Sequence, residues 1–168
     1  MTPETLLQAL ADFGIEARTI HHPAVFTVAE SRALRGELPG AHSKNLFLRA
    51  AKGEGFFLAV LEEHRQASVN ALARAAGWPK VRMASAEELR ATLGVEPGSV
   101  TPFGLVNAPP GGVGVVLDAA LADAPGLAWF HPLVNTASTG LRPADLLRFL
   151  AARGHVVRVL DLDAPALA

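Results

Sequence analysis

An α/β domain with a mixed β-sheet is the fold class this sequence predicts, and three observations predict it. Short apolar, strand-like runs alternate along the chain with helix-length amphipathic segments. Two neighbouring runs are joined by a glycine-bearing connection suited to a hairpin. Half of the 168 residues are apolar, enough to bury one sizeable core.

Taken in order, Thr2 is a candidate N-cap and Pro3 fits the first position of a helix. Leu6, Leu7, Leu10 and Phe13 then share one face, and Gly14 ends the helix. Residues 15–21 read as a short strand. Thr27 is placed to cap a second helix running from Val28 to about Leu34, and residues 36–43 form a polar loop containing glycine and proline. Residues 45–50 and 55–61 are the two hairpin strands, split by Ala-Lys-Gly-Glu-Gly. A helix over residues 69–76 is closed by Gly77. Another begins at Ser85, with Glu87 and Glu88 in its first turn, and stops near Gly94. Residues 105–107, 113–117, 127–130 and 138–141 read as short strands. Pro143 opens a last helix with Leu146, Leu147 and Leu150 on its inner face; Gly154 ends it, and residues 155–160 make a final strand. Nothing resembles an interdomain linker or an internal repeat, so residues 1–168 are expected to form a single domain.

Composition excludes several chemistries. Lys+Arg is 15 and Asp+Glu is 16, a formal charge of −1, so non-specific coating of nucleic acid by net charge is out, while a local basic patch is not. There is no cysteine, hence no disulfide, thiol nucleophile or thiolate metal site, and no tyrosine. The first residues lack the basic-then-apolar pattern of a secretory signal, and no apolar run is long enough to span a membrane. A soluble, cytoplasmic protein is expected. There is no G-x-S-x-G, no H-E-x-x-H, no P-loop and no G-x-G-x-x-G. Gly111-Gly112-Val113-Gly114 follows two prolines and leads into a strand, the reverse of a phosphate loop, and reads as a tight turn. His21-His22-Pro23 reads as a solvated turn.

Three segments carry candidate chemistry. In His42-Ser43-Lys44-Asn45-Leu46-Phe47-Leu48, a lysine in a chain with only three stands where loop meets strand. It is either an ordinary strand-end charge or a cation for an oxyanion, carbonyl or phosphate. In Trp129-Phe130-His131-Pro132-Leu133-Val134-Asn135-Thr136-Ala137-Ser138, an aromatic strand delivers a histidine into a polar turn, where sites of α/β proteins collect. Between them, Gly98-Ser99-Val100-Thr101-Pro102-Phe103-Gly104 is either a wide turn or a place where backbone approaches a ligand closely.

In this order and spacing, the three segments resemble the YbaK-type aminoacyl-tRNA deacylases. Among those, the chain is most similar to the free-standing alanyl-tRNA(Pro) deacylases, the ProXp-ala or PrdX group. The resemblance covers nearly the whole chain. It implies an α/β domain with a mixed sheet flanked by helices, and hydrolysis of a wrongly placed amino acid from the terminal adenosine of tRNA(Pro). It implies action in trans after prolyl-tRNA synthetase, with no metal, no cofactor and no covalent intermediate. Lys44 falls on the family's essential lysine and Asn45 on its neighbour. His131, Asn135 and the loop with Gly98, Thr101, Pro102, Phe103 and Gly104 fall on the pocket walls. Phe26, Val28 and Phe47 are added as candidates for the wall that excludes proline.

Elementary chemistry is consistent with that role. An aminoacyl ester is already activated, so positioning and charge stabilisation suffice, with water as nucleophile. Excluding a ring by size is a stronger device than gaining affinity for a methyl group. Arg49, Lys80 and Arg82 are the expected tRNA-binding surface, with Lys52 and Arg74 nearby. Two other readings stand beside this one: a deacylase for cysteine or another mischarged amino acid, and a non-catalytic association module. Retention of Lys44 favours the enzyme.

Overall fold

The capping signals read from the sequence set the helices. The computed structural model describes residues 1–24, 29, 38–66 and 68–163. Thr2 accepts from the Thr5 amide in a capping box that opens α1 (Pro3–Asp12). Ser68 caps α2 (Val69–Ala76), and Ser85, with Glu88 reaching back to its amide, caps α3 (Ala86–Leu93). Gly77 and Gly94 close α2 and α3 in the left-handed conformation. Pro143 opens α5 (Pro143–Ala152), after a short α4 (Ala119–Ala122) that the sequence reading did not anticipate.

The strands are β1 (Arg18–His21), β2 (Ala41–Ala50), β3 (Phe56–Glu62), β4 (Val81–Met83), β5 (Val113–Asp118), β6 (Ala128–Phe130), β7 (Ala137–Leu141) and β8 (Val157–Leu160). They form one eight-stranded sheet ordered β1-β7-β6-β2-β3-β5-β8, with β4 added to β2. The sheet is mixed. The β2–β3 hairpin, β6–β7 and β1–β7 are antiparallel, while β2–β6, β3–β5 and β5–β8 are parallel. The predicted fold class is therefore observed.

Several boundaries differ from the sequence reading. The loop expected through residue 43 ends earlier, because β2 begins at Ala41, where it pairs with β6. Residues 105–107 are not a strand but the end of a 3₁₀ turn, Pro102–Asn107. Thr101 caps that turn through the Phe103 amide, and Asn107 is tied to the Leu93 carbonyl. β4 was not anticipated. The helix expected from Val28 lies outside the described residues except at Ala29.

One sheet face packs against α1, α3, the 3₁₀ turn and α5 through a core that includes Leu6, Leu10, Phe47, Leu89, Leu93, Phe103, Phe130, Phe149 and Leu150. Each such side chain contributes roughly 1.5–3 kcal/mol on burial. The other face carries α2, with Leu72 and Ala73 over Leu48, Ala59 and Leu61 and Trp78 alongside. Buried Asp118 stitches strand ends together: it accepts from the Glu62 and Ala120 amides and from Arg65, which also reaches Asp163.

Candidate active site

Where β2 runs between its neighbours, the sheet parts. On the edge opposite β3, β2 pairs with β6 over Ala41 and His42 and with β4 from Leu48 onward. The three candidate segments meet around this gap. Ser43 Oγ donates to the Trp129 carbonyl at 3.0 Å, Asn45 Nδ2 donates to the Val100 carbonyl at 3.1 Å, and the rings of Phe103 and Phe130 meet edge-on.

Side-chain alternation then divides the candidates between the two faces. Asn45 and Phe47 point to the core face. Lys44 points to the other face, with Leu46 and Leu48. The two catalytic candidates, Lys44 and Asn45, thus take opposite faces of β2, as adjacent strand residues must. The Asn45 amide instead ties β2 to the 98–104 loop, and its Oδ1 is buried without a partner.

The Lys44 face holds the chemically interesting groups. His42 stacks on Trp129, ring centroids 6.2 Å apart and 8° from parallel. Trp129 lies over Gly140, where a Cβ would come within 2.9 Å of the indole, so no larger residue fits beneath it. Next along this face, Ser138 Oγ bonds His22 Nε2 at 2.9 Å, and the His22 ring sits 6.4 Å from that of His131. Both histidines have their tautomer fixed by a carbonyl. His22 Nδ1 donates to Pro23 and His131 Nδ1 donates to Ala137. His131 Nε2 is thereby left as an acceptor, with no hydrogen-bond partner among the described residues. Burial holds the His131 pKa below its ordinary value, the Ala137 carbonyl opposes that, and nearby His22 adds to it, so the ring is neutral at pH 7. Lys44 is half-buried and makes no ion pair or hydrogen bond with the described residues. The turn after His131 contains Leu133 at φ 70°, the one non-glycine residue with positive φ among those described. Strain of this kind costs about 1–3 kcal/mol and collects at functional sites.

Other expected site residues fall elsewhere. Phe47 is 2% exposed and stacks on Phe56, and Phe103 is fully buried, so neither presents a surface to a ligand. Thr101 and Pro102 are buried with them, Thr101 spending its hydroxyl on the Phe103 amide. Gly104 admits not a ligand but α3: a Cβ there would lie 2.9 Å from Leu93 Cβ. Gly98 is half-buried at φ 89°, and Asn135 is half-buried in the turn before β7. Phe26 and Val28 lie outside the described residues. Arg49 and Arg82 do not stand free as RNA-binding cations. Both bind Glu88, at 2.6 Å and 3.0 Å, and Arg49 also lies over the Phe56 ring. The Arg82 guanidinium, with the Ser85 amide and Arg49, holds the Glu88 carboxyl far below the usual range. Lys80 is exposed.

The sequence places Ser138 in a candidate segment without a role and reads His22 as part of a solvated turn. Their meeting depends on β1 pairing with β7, more than a hundred residues later, for which no local signal exists. Among the described residues, the cluster with metal-ligand spacing is Glu62, Glu63 and His64. It lies at the end of β3, and His64 is already bonded to Glu62.

This arrangement offers a cation and a neutral hydrogen-bond acceptor on one face, without an activated thiol or phenol. Residues 22–149 match the family model described as aminoacyl-tRNA editing domain. The chain belongs to that family. It is 38% identical over 161 residues to a Bos taurus protein named prolyl-tRNA synthetase associated domain-containing protein 1, covering 94% of each chain. It is 30% identical to the prolyl-tRNA editing protein ProX of Acetoanaerobium sticklandii, covering 95% of this chain and 96% of that one. A crystal structure named as a proposed trans-editing enzyme for prolyl tRNA synthetase has the same fold, with a TM-score of 0.71, 24% identity and 96% of each chain covered. No helix among the described residues is long and apolar enough to cross a membrane.

Proposed function

We propose that this protein hydrolyses the ester linking alanine to mischarged tRNA(Pro), acting in trans to prolyl-tRNA synthetase. The observation that carries the reading is the sheet face that Lys44, with no ion-pair partner among the described residues, shares with the stacked His42–Trp129 pair, at the strand end that leads into His131.

Water adds to the ester carbonyl and the oxyanion collapses. The ribose oxygen leaves with a proton, giving free alanine and an uncharged 3′ end. The Lys44 ammonium holds the developing negative charge or the terminal phosphate, as a compact charge on a flexible stem does well. His131 Nε2 accepts from the substrate's amino group or the attacking water, and the Ser138–His22 pair fixes the wall beside it. The free ribose hydroxyl of the terminal adenosine helps to activate the water. Selectivity is by exclusion: the space beside His131 takes a methyl group and rejects the pyrrolidine ring.

The test is a panel of tRNA(Pro) charged with Ala, Cys, Ser or Pro. Alanine is released fastest and proline is retained. Faster release of cysteine would move the assignment to a cysteinyl deacylase, and release of none would remove the enzymatic reading.

A further inference from the structure

Ser138 and His22, which fix the wall beside His131, also meet in the order of a nucleophile and its base. Ser138 Oγ lies 2.9 Å from His22 Nε2, and His22 Nδ1 lies 2.8 Å from the Pro23 carbonyl oxygen. A carbonyl only accepts, so Nδ1 carries the ring proton and the neutral ring presents its Nε2 lone pair to Ser138. The serine hydroxyl is then the donor in that bond. Nucleophile, base and orienting acceptor follow one another as in a serine hydrolase, with a backbone carbonyl where a carboxylate often stands. The sheet holds this unit in place. Ile20 pairs with Ser138 in the β1–β7 register, and the His22 amide donates to the Thr136 carbonyl at 3.0 Å, so β1 carries the ring to its serine. Ser138 is two residues from Gly140, which lies under the Trp129 indole, and so it shares the Trp129 face. Ser138 and His22 are each partly exposed. The β6–β7 register, continued by one residue, sets His131 opposite Ser138, where His131 Nδ1 donates to the Ala137 carbonyl at 3.1 Å. β2, which carries Lys44, is two strands from β7, roughly 10 Å away.

We propose that Ser138, activated by His22, is a nucleophile that takes the acyl group of small activated esters, in a reaction apart from RNA editing. Ser138 Oγ adds to the acyl carbonyl as its proton passes to His22 Nε2. The tetrahedral oxyanion collapses, the bond from the acyl carbon to the leaving oxygen breaks, and that oxygen takes the proton from His22. Water then adds to the acyl-serine and gives a proton to His22. The carboxylic acid departs as Ser138 Oγ recovers that proton. Lys44 supplies positive charge to the same face, which favours the oxyanion over the neutral ester. The hydroxyl is only partly exposed between His22 and His131, so a short, uncharged acyl group is the substrate class that fits. The proposal does not rest on the deacylase reading, since no RNA takes part.

The experiment mixes the full chain with p-nitrophenyl acetate. Nitrophenolate release is followed by absorbance, and the acid-quenched protein is digested and mapped by mass spectrometry. The expected result is a burst of about one equivalent per chain, with the acetyl group on Ser138. A fluorophosphonate, which bonds the same oxygen as fluoride leaves, should mark Ser138 permanently and abolish the burst. Ser138→Ala should remove the burst and the adduct. His22→Gln should slow acylation about a hundredfold or more, the share of a general base. Ser138→Cys should restore an acyl adduct at that position, because the imidazole then faces a thiol. Mapping the unmutated chain decides the point even where a variant fails to fold. An acetyl group found on Lys44 or His131 with Ser138 unmodified would overturn the proposal. So would a burst that survives Ser138→Ala, or fluorophosphonate labelling equally fast in His22→Gln. Ester acylation at Ser138 in a chain that releases no amino acid from any charged tRNA would keep this proposal and remove the deacylase reading. Release of alanine from tRNA with Ser138 inert to both probes would do the reverse.

Discussion

Replacing Lys44 by methionine removes the charge and keeps the apolar stem. The structure sets what each change should cost. No ion pair with the described residues is lost, and Lys44 sits half-buried at the open edge of β2, so the stability change should stay within about 0.5 kcal/mol. The kinetic cost should be far larger. A donor aimed at developing oxyanion charge in a partly dry site contributes roughly 3 kcal/mol, about two orders of magnitude in rate. Single-turnover deacylation of Ala-tRNA(Pro), with thermal melting of the same samples, reads both quantities. A Lys44→Met variant that melts like the parent and deacylates within about threefold of it would refute the role given to this residue. Lys44→Arg should recover only part of the rate, because a planar guanidinium does not reproduce a compact ammonium.

The remaining predictions concern His131 and the core beneath the site. His131 is held below the ordinary histidine pKa, so the unfolded chain takes up its proton first. Its contribution to stability is complete above about pH 6.5 and is lost as pH falls from there toward the folded-state value; denaturant melts at pH 7.5 and 5.5 should show the decline, and His131→Gln should flatten it. Deacylation should fall over the same acid range as Nε2 gains a proton, and a rate that is level there would exclude Nε2 as an acceptor. Phe47→Ala should cost roughly 3–5 kcal/mol of stability and leave the Ala-to-Pro deacylation ratio unchanged, whereas His131→Ala should lower that ratio; a ratio moved only by Phe47→Ala would reverse the assignment of the wall. Gly104→Ala should destabilise by about 1–3 kcal/mol, since its methyl meets Leu93 Cβ at 2.9 Å and the Leu93 carbonyl at 3.2 Å; a melting temperature equal to the parent's would show that α3 gives way freely.

Features encoded within a few residues were legible in the sequence. Ser85 with Glu88, and Gly77 and Gly94, mark helix ends through bonds that span three or four residues, and α2 and α3 appear where those signals place them. The β2–β3 hairpin was legible for the same reason. Features set by distant pairing were not. β4 is only Val-Arg-Met, and it is a strand because β2 lies beside it. Residues 105–107 are as apolar as a strand, yet the Thr101 cap and the Asn107 bond to Leu93 wind them into a 3₁₀ turn. Within the site, motif spacing named three segments that the fold brings together but could not say which face each side chain takes. Register with β3 and β6 puts Lys44 beside His42 and sends Asn45 to the core. The same holds for charge: that Arg49 and Arg82 share Glu88, 39 and 6 residues away, is a consequence of packing.

The claim that this protein edits in trans is tested most directly while mischarging is under way. Prolyl-tRNA synthetase is supplied with tRNA(Pro) and alanine in one reaction, and with tRNA(Pro) and proline in a parallel one, and the charged fraction is followed over time. Adding this protein should collapse the Ala-tRNA(Pro) plateau and leave the Pro-tRNA(Pro) plateau where it stood. Two plateaus that both persist, or that fall together, would contradict the account.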